Sequence, residues 1–334
     1  MGYSIALVFE DGLTRIVDGL PGETVADAAY RHGVNIPLDC RDGACGTCKS
    51  LCDAGRFDPG SYIDDALSAD EAAQGYCLPC QMRPQSDCVL RIAATAAACK
   101  VAARTVEGRV ASVELASPST IVLAVDLAEP LPFLPGQYVR IGVPGTNASR
   151  SYSFSSAPGD ARAEFLIRNV PDGAMSRYLS EWARPGDCLA LAGPLGGFYL
   201  RPMTGKVLML AGGTGLAPFL SMLAQLVRQG VEYPVHLVYG VTNHTDLAAL
   251  PALDDFVRRL PGFGYVTCVA EPAAGHPRPG YVTDHLPSDL AACSVYVCGP
   301  PPMVEAVRRH CRERGIAPAA FYAEKFTESA GTGP

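Results

Sequence analysis

The chain has 334 residues, 48% hydrophobic and 18% charged, a globular composition whose length calls for two or three domains. No run approaches the roughly 18 apolar residues that span a bilayer. The formal net charge is −7, and residues 1–99 carry all of it, with 14 acidic against 7 basic side chains, which argues against a nucleic-acid partner and suits an acidic docking face.

The opening "MGYSIALVFEDG" reads as a strand and turn, not as a secretion signal. Thirteen cysteines without such a signal point to a reducing, cytoplasmic setting, where some thiols bind metal and the rest are small buried apolar groups. "YSIALVF" and "LTRIVDG" flank a hairpin turn, and "ETVADAAYRHG" predicts a short helix closed by Gly33. Further on, Ser68 stands three residues before Glu71, a capping box, and "CVLRIAA" predicts a returning strand. This compact α+β unit is expected to end at the alanine-rich linker "AATAAACKVAA". From about Thr105 to Met203, short alternating strands lie between Pro/Gly turns, which suggests a small antiparallel barrel. From "KVLMLAGGTG" onward, apolar strands alternate with helical runs, which predicts a parallel sheet covered by helices.

Within the first unit, "LDCRDGACGTCKSLC" sets Cys40, Cys45 and Cys48 at C-x4-C-x2-C, the spacing of plant-type 2Fe–2S ferredoxins. Gly43, Ala44, Gly46 and Thr47 are small enough to let backbone N–H groups reach the sulfurs, and glycine tolerates the positive φ of a tight loop. "YCLPCQ" offers the fourth thiol, with Cys80 favoured by distance along the chain and Cys77 the fallback. A zinc site built from two C-x2-C pairs is the competing reading, against which Cys40 and the glycine loop weigh. Cys52 and Cys88 read as bystanders.

In the barrel, "RSYSFSS" supplies Arg150 as a pyrophosphate cation, Tyr152 as a stacking ring and Ser153 as a hydroxyl near a flavin's reactive nitrogen. "DGAMS" then runs from Gly173 through Met175 to Ser176 at a helix start, where free N–H groups favour an anion. "LAGGTGLAP" places Gly213, Thr214 and Gly215 between a buried strand and a helix, which allows a dinucleotide pyrophosphate to approach the backbone closely. The spacing matches neither G-x-G-x-x-G nor a P-loop. "CGPPPM" puts Cys298, Gly299 and Pro300 at another strand end facing the same crevice. Between Gly240 and Leu250 there is no Arg or Lys for a 2′-phosphate, and Asp246 would repel one, so NADH is the expected nucleotide.

Together these motifs, with the near-terminal "EKF", resemble the ferredoxin–NADP⁺ reductase superfamily. Within it they are most similar to the NADH-dependent reductase components of Rieske aromatic-ring dioxygenases of the benzoate 1,2-dioxygenase type, over almost the whole chain. The resemblance implies a multidomain α+β and α/β protein. Residues 1–98 would form a β-grasp 2Fe–2S ferredoxin domain, 104–203 an antiparallel β-barrel FAD domain and 205–327 a Rossmann-like NAD domain. It implies Cys40, Cys45, Cys48 and Cys80 as cluster ligands, and Arg150, Tyr152, Ser153 and Ser176 as FAD contacts. Gly213, Thr214, Cys298 and Pro300 would contact the nicotinamide dinucleotide, and Phe326 would shield the flavin.

The expected chemistry is hydride transfer from NADH to FAD beside Ser153 and Cys298, then single electrons through the cluster to a terminal Rieske oxygenase docked on the acidic domain. The reductase is expected to be monomeric. A reductase for a soluble di-iron monooxygenase uses the same modules and is the alternative. A redox sensor without turnover is opposed by the intact nicotinamide motifs, and a small-molecule dehydrogenase by the want of an evident catalytic His, Lys or Tyr.

Overall fold

The computed structural model describes residues 2–271 and 276–326, which divide into two compact units, Met1–Arg104 with Pro194–Gly197 and Thr105–Gly193 with Phe198–Pro334. The "TESAGTGP" tail of the sequence lies outside the described residues.

In the first unit, the alternating apolar residues of β1 (Tyr3–Phe9) and β2 (Thr14–Gly19) form the expected hairpin, with Ile5 and Leu7 fully buried. Helix α1 (Val25–Arg31) starts where the Thr24 side chain accepts from the Asp27 N–H. β3 (Ser50–Ala54), β4 (Phe57–Asp58), α2 (Ala69–Ala73), β5 (Tyr76–Cys77), β6 (Arg83–Pro84) and β7 (Cys88–Ile92) follow. α2 carries the reciprocal Ser68–Glu71 capping box read from the sequence. β7 returns parallel to β1, giving the mixed order β2-β1-β7-β3-β5 of a β-grasp sheet. The alanine-rich stretch packs on this unit instead of hanging free: Cys99 is buried and its carbonyl accepts from the Asn35 backbone N–H at 2.7 Å.

The second unit begins with a six-stranded antiparallel sheet in the order β11-β10-β13-β8-β9-β12. Its strands are β8 (Arg104–Ser117), β9 (Thr120–Leu127), β10 (Tyr138–Gly142), β11 (Ser149–Ser153), β12 (Arg162–Arg168) and β13 (Cys188–Leu195). Val, Ile, Leu and Phe side chains, among them Leu123, Val139, Phe154, Phe165 and Leu191, fill its concave face. Closure is slighter than a barrel implies: edge strands β11 and β12 meet at the single bridge Phe154–Phe165, where ring packing takes the place of a ladder. A four-residue helix, α3 (Ala174–Arg177), lies between β12 and β13 and runs into a π turn at Tyr178–Trp182.

The remaining strands, β14 (Lys206–Gly212), β15 (Val235–Asn243), β16 (Phe263–Glu271), β17 (Cys293–Gly299) and β18 (Ala320–Lys325), form an all-parallel sheet in the order β16-β15-β14-β17-β18. Alternate residues point to opposite faces. Met209, Leu237 and Tyr296 pack with α4 (Ala217–Gln229) and α5 (Leu250–Arg259), whereas Leu208, Val238 and Val297 pack with α6 (Pro301–Glu313). The chain runs outward from β14 in both directions, so the topological switch point lies between β14 and β17, where open α/β sheets hold ligands at the strands' carboxyl ends. Among the described residues no helix is long and apolar enough to cross a membrane.

Candidate functional site

The cysteine loop is a cradle that only small residues can form. Gly43 has φ +82° and a Cβ there would meet the Ser61 carbonyl oxygen at 2.3 Å; at Gly46, φ is +71° and the Ala66 carbonyl lies 2.9 Å away. The backbone N–H of Cys45 points to the Cys40 sulfur at 3.3 Å, and that of Thr47 to the Cys45 sulfur at 3.5 Å. The thiols pair off: Cys40 interacts with Cys45, and Cys48 with Cys80. Burial, then the Asp42 side chain and the Cys45 contact, push the Cys40 thiol up to about 11. The mutual contact of Cys48 and Cys80, with burial, pushes the Cys48 thiol up, and the same contact holds the Cys80 thiol down.

Among the described residues, no three His, Cys, Asp or Glu side chains gather about a single ion position. Two pairs of thiols in a glycine cradle instead suit a binuclear cluster, which takes two thiolates per iron, better than one tetrahedral zinc. Cys77 lies apart. It is fully buried opposite Ser50 in β5, its thiol donates to the Ser50 carbonyl at 3.5 Å, and burial with the neighbouring Cys52 and Cys88 pushes it up to about 12. The segment that packs on the loop through Ser61 and Ala66 also presents Asp64 and Asp65 to solvent, beside exposed Asp42 of the loop itself.

On the antiparallel sheet, β11 alternation sets Arg150 and Tyr152 on one face and Ser153 on the other. Tyr152 packs against the sheet's core, and burial raises its hydroxyl well above the ordinary range. Ser153 is 3% exposed, and its hydroxyl donates to the Glu324 carboxylate at 3.4 Å. Two residues on, the Ser155 hydroxyl is buried without a hydrogen-bond partner. A ring, a cation and two inward hydroxyls, one of them orphaned, fit a flavin. The Gly173–Ser176 motif opens the short helix after β12. Gly173 caps α3, Met175 is buried in the sheet's core, and the Ser176 hydroxyl accepts from the Val170 N–H at 2.9 Å.

In the parallel sheet the two glycine motifs nest against each other. A Cβ on Gly215 would lie 2.3 Å from the Cys298 carbonyl oxygen, and one on Gly212 2.6 Å from the Met303 sulfur. Gly213 turns at φ +55° between β14 and the 13-residue α4. Thr214 and Gly215 share this turn, Gly299 ends β17, and Pro300 caps α6. This leaves backbone N–H groups at a helix start beside the switch point, an arrangement that fits a dinucleotide pyrophosphate.

Cys298 is fully buried and pairs in register with Glu324 on β18; burial first, and then the Glu324 charge, raise its thiol well above the usual range, so it is neutral. The Phe326 N–H donates to the Gly299 carbonyl at 2.9 Å, and its ring packs on the same core. The sequence reading brought Ser153, Cys298 and Phe326 together but missed Glu324, which joins the first two. The "EKF" stretch held the clue, because Glu324 lies near the end of β18 and Phe326 directly follows that strand. Asp246 turns its carboxylate back onto the Asn243 N–H at 3.1 Å, closing its own turn.

Comparison with known proteins follows the same three segments. Residues 8–85 match the model of the 2Fe-2S iron-sulfur cluster binding domain, 107–199 that of the oxidoreductase FAD-binding domain, and 209–309 that of the oxidoreductase NAD-binding domain. The chain is 51% identical to the toluate 1,2-dioxygenase electron transfer component of Pseudomonas putida, covering 99% of this chain and 100% of that protein. It is 48% identical to the 2-halobenzoate 1,2-dioxygenase electron transfer component of Burkholderia cepacia, with the same coverage. Among solved structures, a cytochrome P450 reductase of Amycolatopsis superimposes with a TM-score of 0.75 at 34% identity, covering 98% of this chain and 100% of that one.

Proposed function

The chain belongs to the family of iron–sulfur flavoprotein electron transfer components of aromatic-ring dioxygenases, and from that premise we propose that it oxidises NADH for the terminal Rieske oxygenase of a benzoate-type dioxygenase. The observation that carries the residue assignment is the convergence of Ser153, Glu324 and Cys298, where the end of β11 meets β18 beside the carboxyl end of β17.

When bound, FAD converts the two-electron hydride of NADH into the single electrons that a 2Fe–2S cluster carries. The chain's own residues bind and orient. The Gly213–Gly215 turn and the start of α4 receive the nucleotide pyrophosphate, while Pro300 and Gly299 shape the facing wall. Arg150 offers charge to the flavin phosphates and Tyr152 its ring. Ser153 and Glu324 hold a proton between them, neutral Cys298 adds no charge beside them, and Phe326 would shield a bound flavin from water. Cys40, Cys45, Cys48 and Cys80 hold the cluster. With no Lys or Arg at 240–250, nothing there attracts a 2′-phosphate, which supports NADH over NADPH.

The oxygenase docks on the acidic rim of the cysteine loop, Asp42, Asp64 and Asp65, through a basic face of its own. The reductase works as a cytoplasmic monomer. Reconstitution tests this. With NADH and a purified benzoate-type oxygenase, the protein should support hydroxylation of benzoate or a ring-substituted benzoate. Support confined to a di-iron monooxygenase would refute the reading.

A further inference from the structure

Arg201, in the segment between β13 and β14, is a charged side chain only 8% exposed. Its guanidinium carbon lies 3.6 Å from the centre of the Tyr199 ring and 4.5 Å from that of Tyr322. One guanidinium nitrogen donates to the Tyr199 carbonyl at 2.9 Å, and the Arg201 backbone N–H donates to the Tyr296 hydroxyl at 3.0 Å. The rings of Tyr296 and Tyr322 are 4.7 Å apart. On its other side the segment is tied to the turn that leads into β10, since the Leu200 N–H donates to the Pro135 carbonyl at 2.9 Å.

Strand register gives this clasp its meaning. Tyr296 pairs with Tyr322, and two positions along the same face Cys298 pairs with Glu324. Two residues of strand advance about 6.6 Å, so the clasp lies one pleat behind the carboxylate that Ser153 meets. Packing alone would be served by an apolar side chain, because burying a cation is costly. A planar guanidinium between two ring faces fixes orientation as well as volume.

We infer that Arg201 is a positioning residue for hydride transfer: by clasping Tyr322 from a segment anchored on the turn before β10, it holds β18 in register so that Glu324 faces Ser153. The inference rests on the reading of Ser153, Cys298 and Glu324 as the hydride site. It concerns orientation and not nucleotide affinity, so it predicts a split between limiting rate and half-saturation.

The experiment is anaerobic rapid mixing of the FAD- and cluster-loaded protein with NADH, following the loss of flavin absorbance. Arg201→Met should lower the limiting rate about tenfold, or about 1.4 kcal/mol of barrier, with the half-saturating NADH concentration and the FAD content little changed. Arg201→Lys, which keeps the cation, should recover part of the rate. Glu324→Gln is measured alongside. If Glu324→Gln is slow while Arg201→Met keeps the parent's limiting rate, the inference is overturned. If Glu324→Gln also keeps that rate, the reading of the hydride site falls and takes the inference with it. Should Arg201→Met not fold, Tyr322→Leu removes one face of the clasp and is judged by the same two outcomes.

Discussion

The Ser153 hydroxyl donates to the Glu324 carboxylate at 3.4 Å, so the end of one sheet and the last strand of another meet across 171 positions of sequence. Ser153 is buried and Glu324 half-buried, which strengthens the polar contact, and Cys298 pairs with Glu324 in register. Ser153→Ala removes the hydroxyl that donates to the Glu324 carboxylate. The limiting rate of flavin reduction by NADH should fall roughly ten- to a hundredfold with FAD still bound, as measured by anaerobic rapid mixing. An unchanged rate would remove Ser153 from the chemistry.

The thiol assignments separate by a pair of substitutions. Cys80→Ser takes away the partner of Cys48, and the protein should lose iron and its cluster absorption while keeping flavin. Cys77→Ser should keep its iron and instead cost stability by about 1–3 kcal/mol, because it puts a hydroxyl into a fully buried thiol site. Iron analysis with thermal melts checks both, and the reverse pattern would make Cys77 the ligand.

Much of the site was legible because its chemistry is local in sequence. C-x4-C-x2-C, R-x-Y-S and the two glycine turns each lie within a dozen residues, and the Ser68–Glu71 box forms as read. Three things were not legible, for one physical reason: each depends on how separate strands register. Glu324 acquires a role only when β18 aligns beside β17, setting it against Cys298. Cys77 and Cys80 are three residues apart, and their environments diverge only because β5 pairs Cys77 with Ser50 and the chain then turns back toward Cys48. The strand spacing suggested a small antiparallel barrel, but the six strands form a sheet whose edges meet only at the isolated Phe154–Phe165 bridge.

Gly215→Ala should be poorly tolerated. A Cβ would sit 2.3 Å from the Cys298 carbonyl oxygen, and both are backbone-fixed, so the two nucleotide turns must part. Overpacking of this kind costs about 1–3 kcal/mol. Thermal melts should show that loss, and NADH titration a weaker half-saturation, whereas a variant of parental stability and affinity would contradict the nesting of the two turns.

Burial first, and then the charge of Arg278, hold the His236 imidazole below its ordinary value of 6.5. The unfolded chain therefore takes up a proton that the folded chain resists. Stability from this group is complete above about pH 6.5 and is lost as pH falls through the lower folded value. His236→Gln should flatten the decline in melting temperature between about pH 7 and pH 5. An unaltered slope would mean the imidazole is as easily protonated in the folded state.

Neutralising the acidic rim with Asp64→Asn and Asp65→Asn should slow electron delivery to the oxygenase and weaken its dependence on salt, while NADH-driven flavin reduction is unaffected. Transfer indifferent to ionic strength in the parent protein would rule out charge steering.

The central claim is that one chain carries a hydride acceptor and a one-electron cluster in series. Its most direct measurement is the visible spectrum and metal content of the purified protein before and after anaerobic NADH. The account predicts overlapping flavin and iron–sulfur bands that bleach on addition of NADH, with about two irons per flavin. A colourless protein containing zinc, or bands indifferent to NADH, would contradict it.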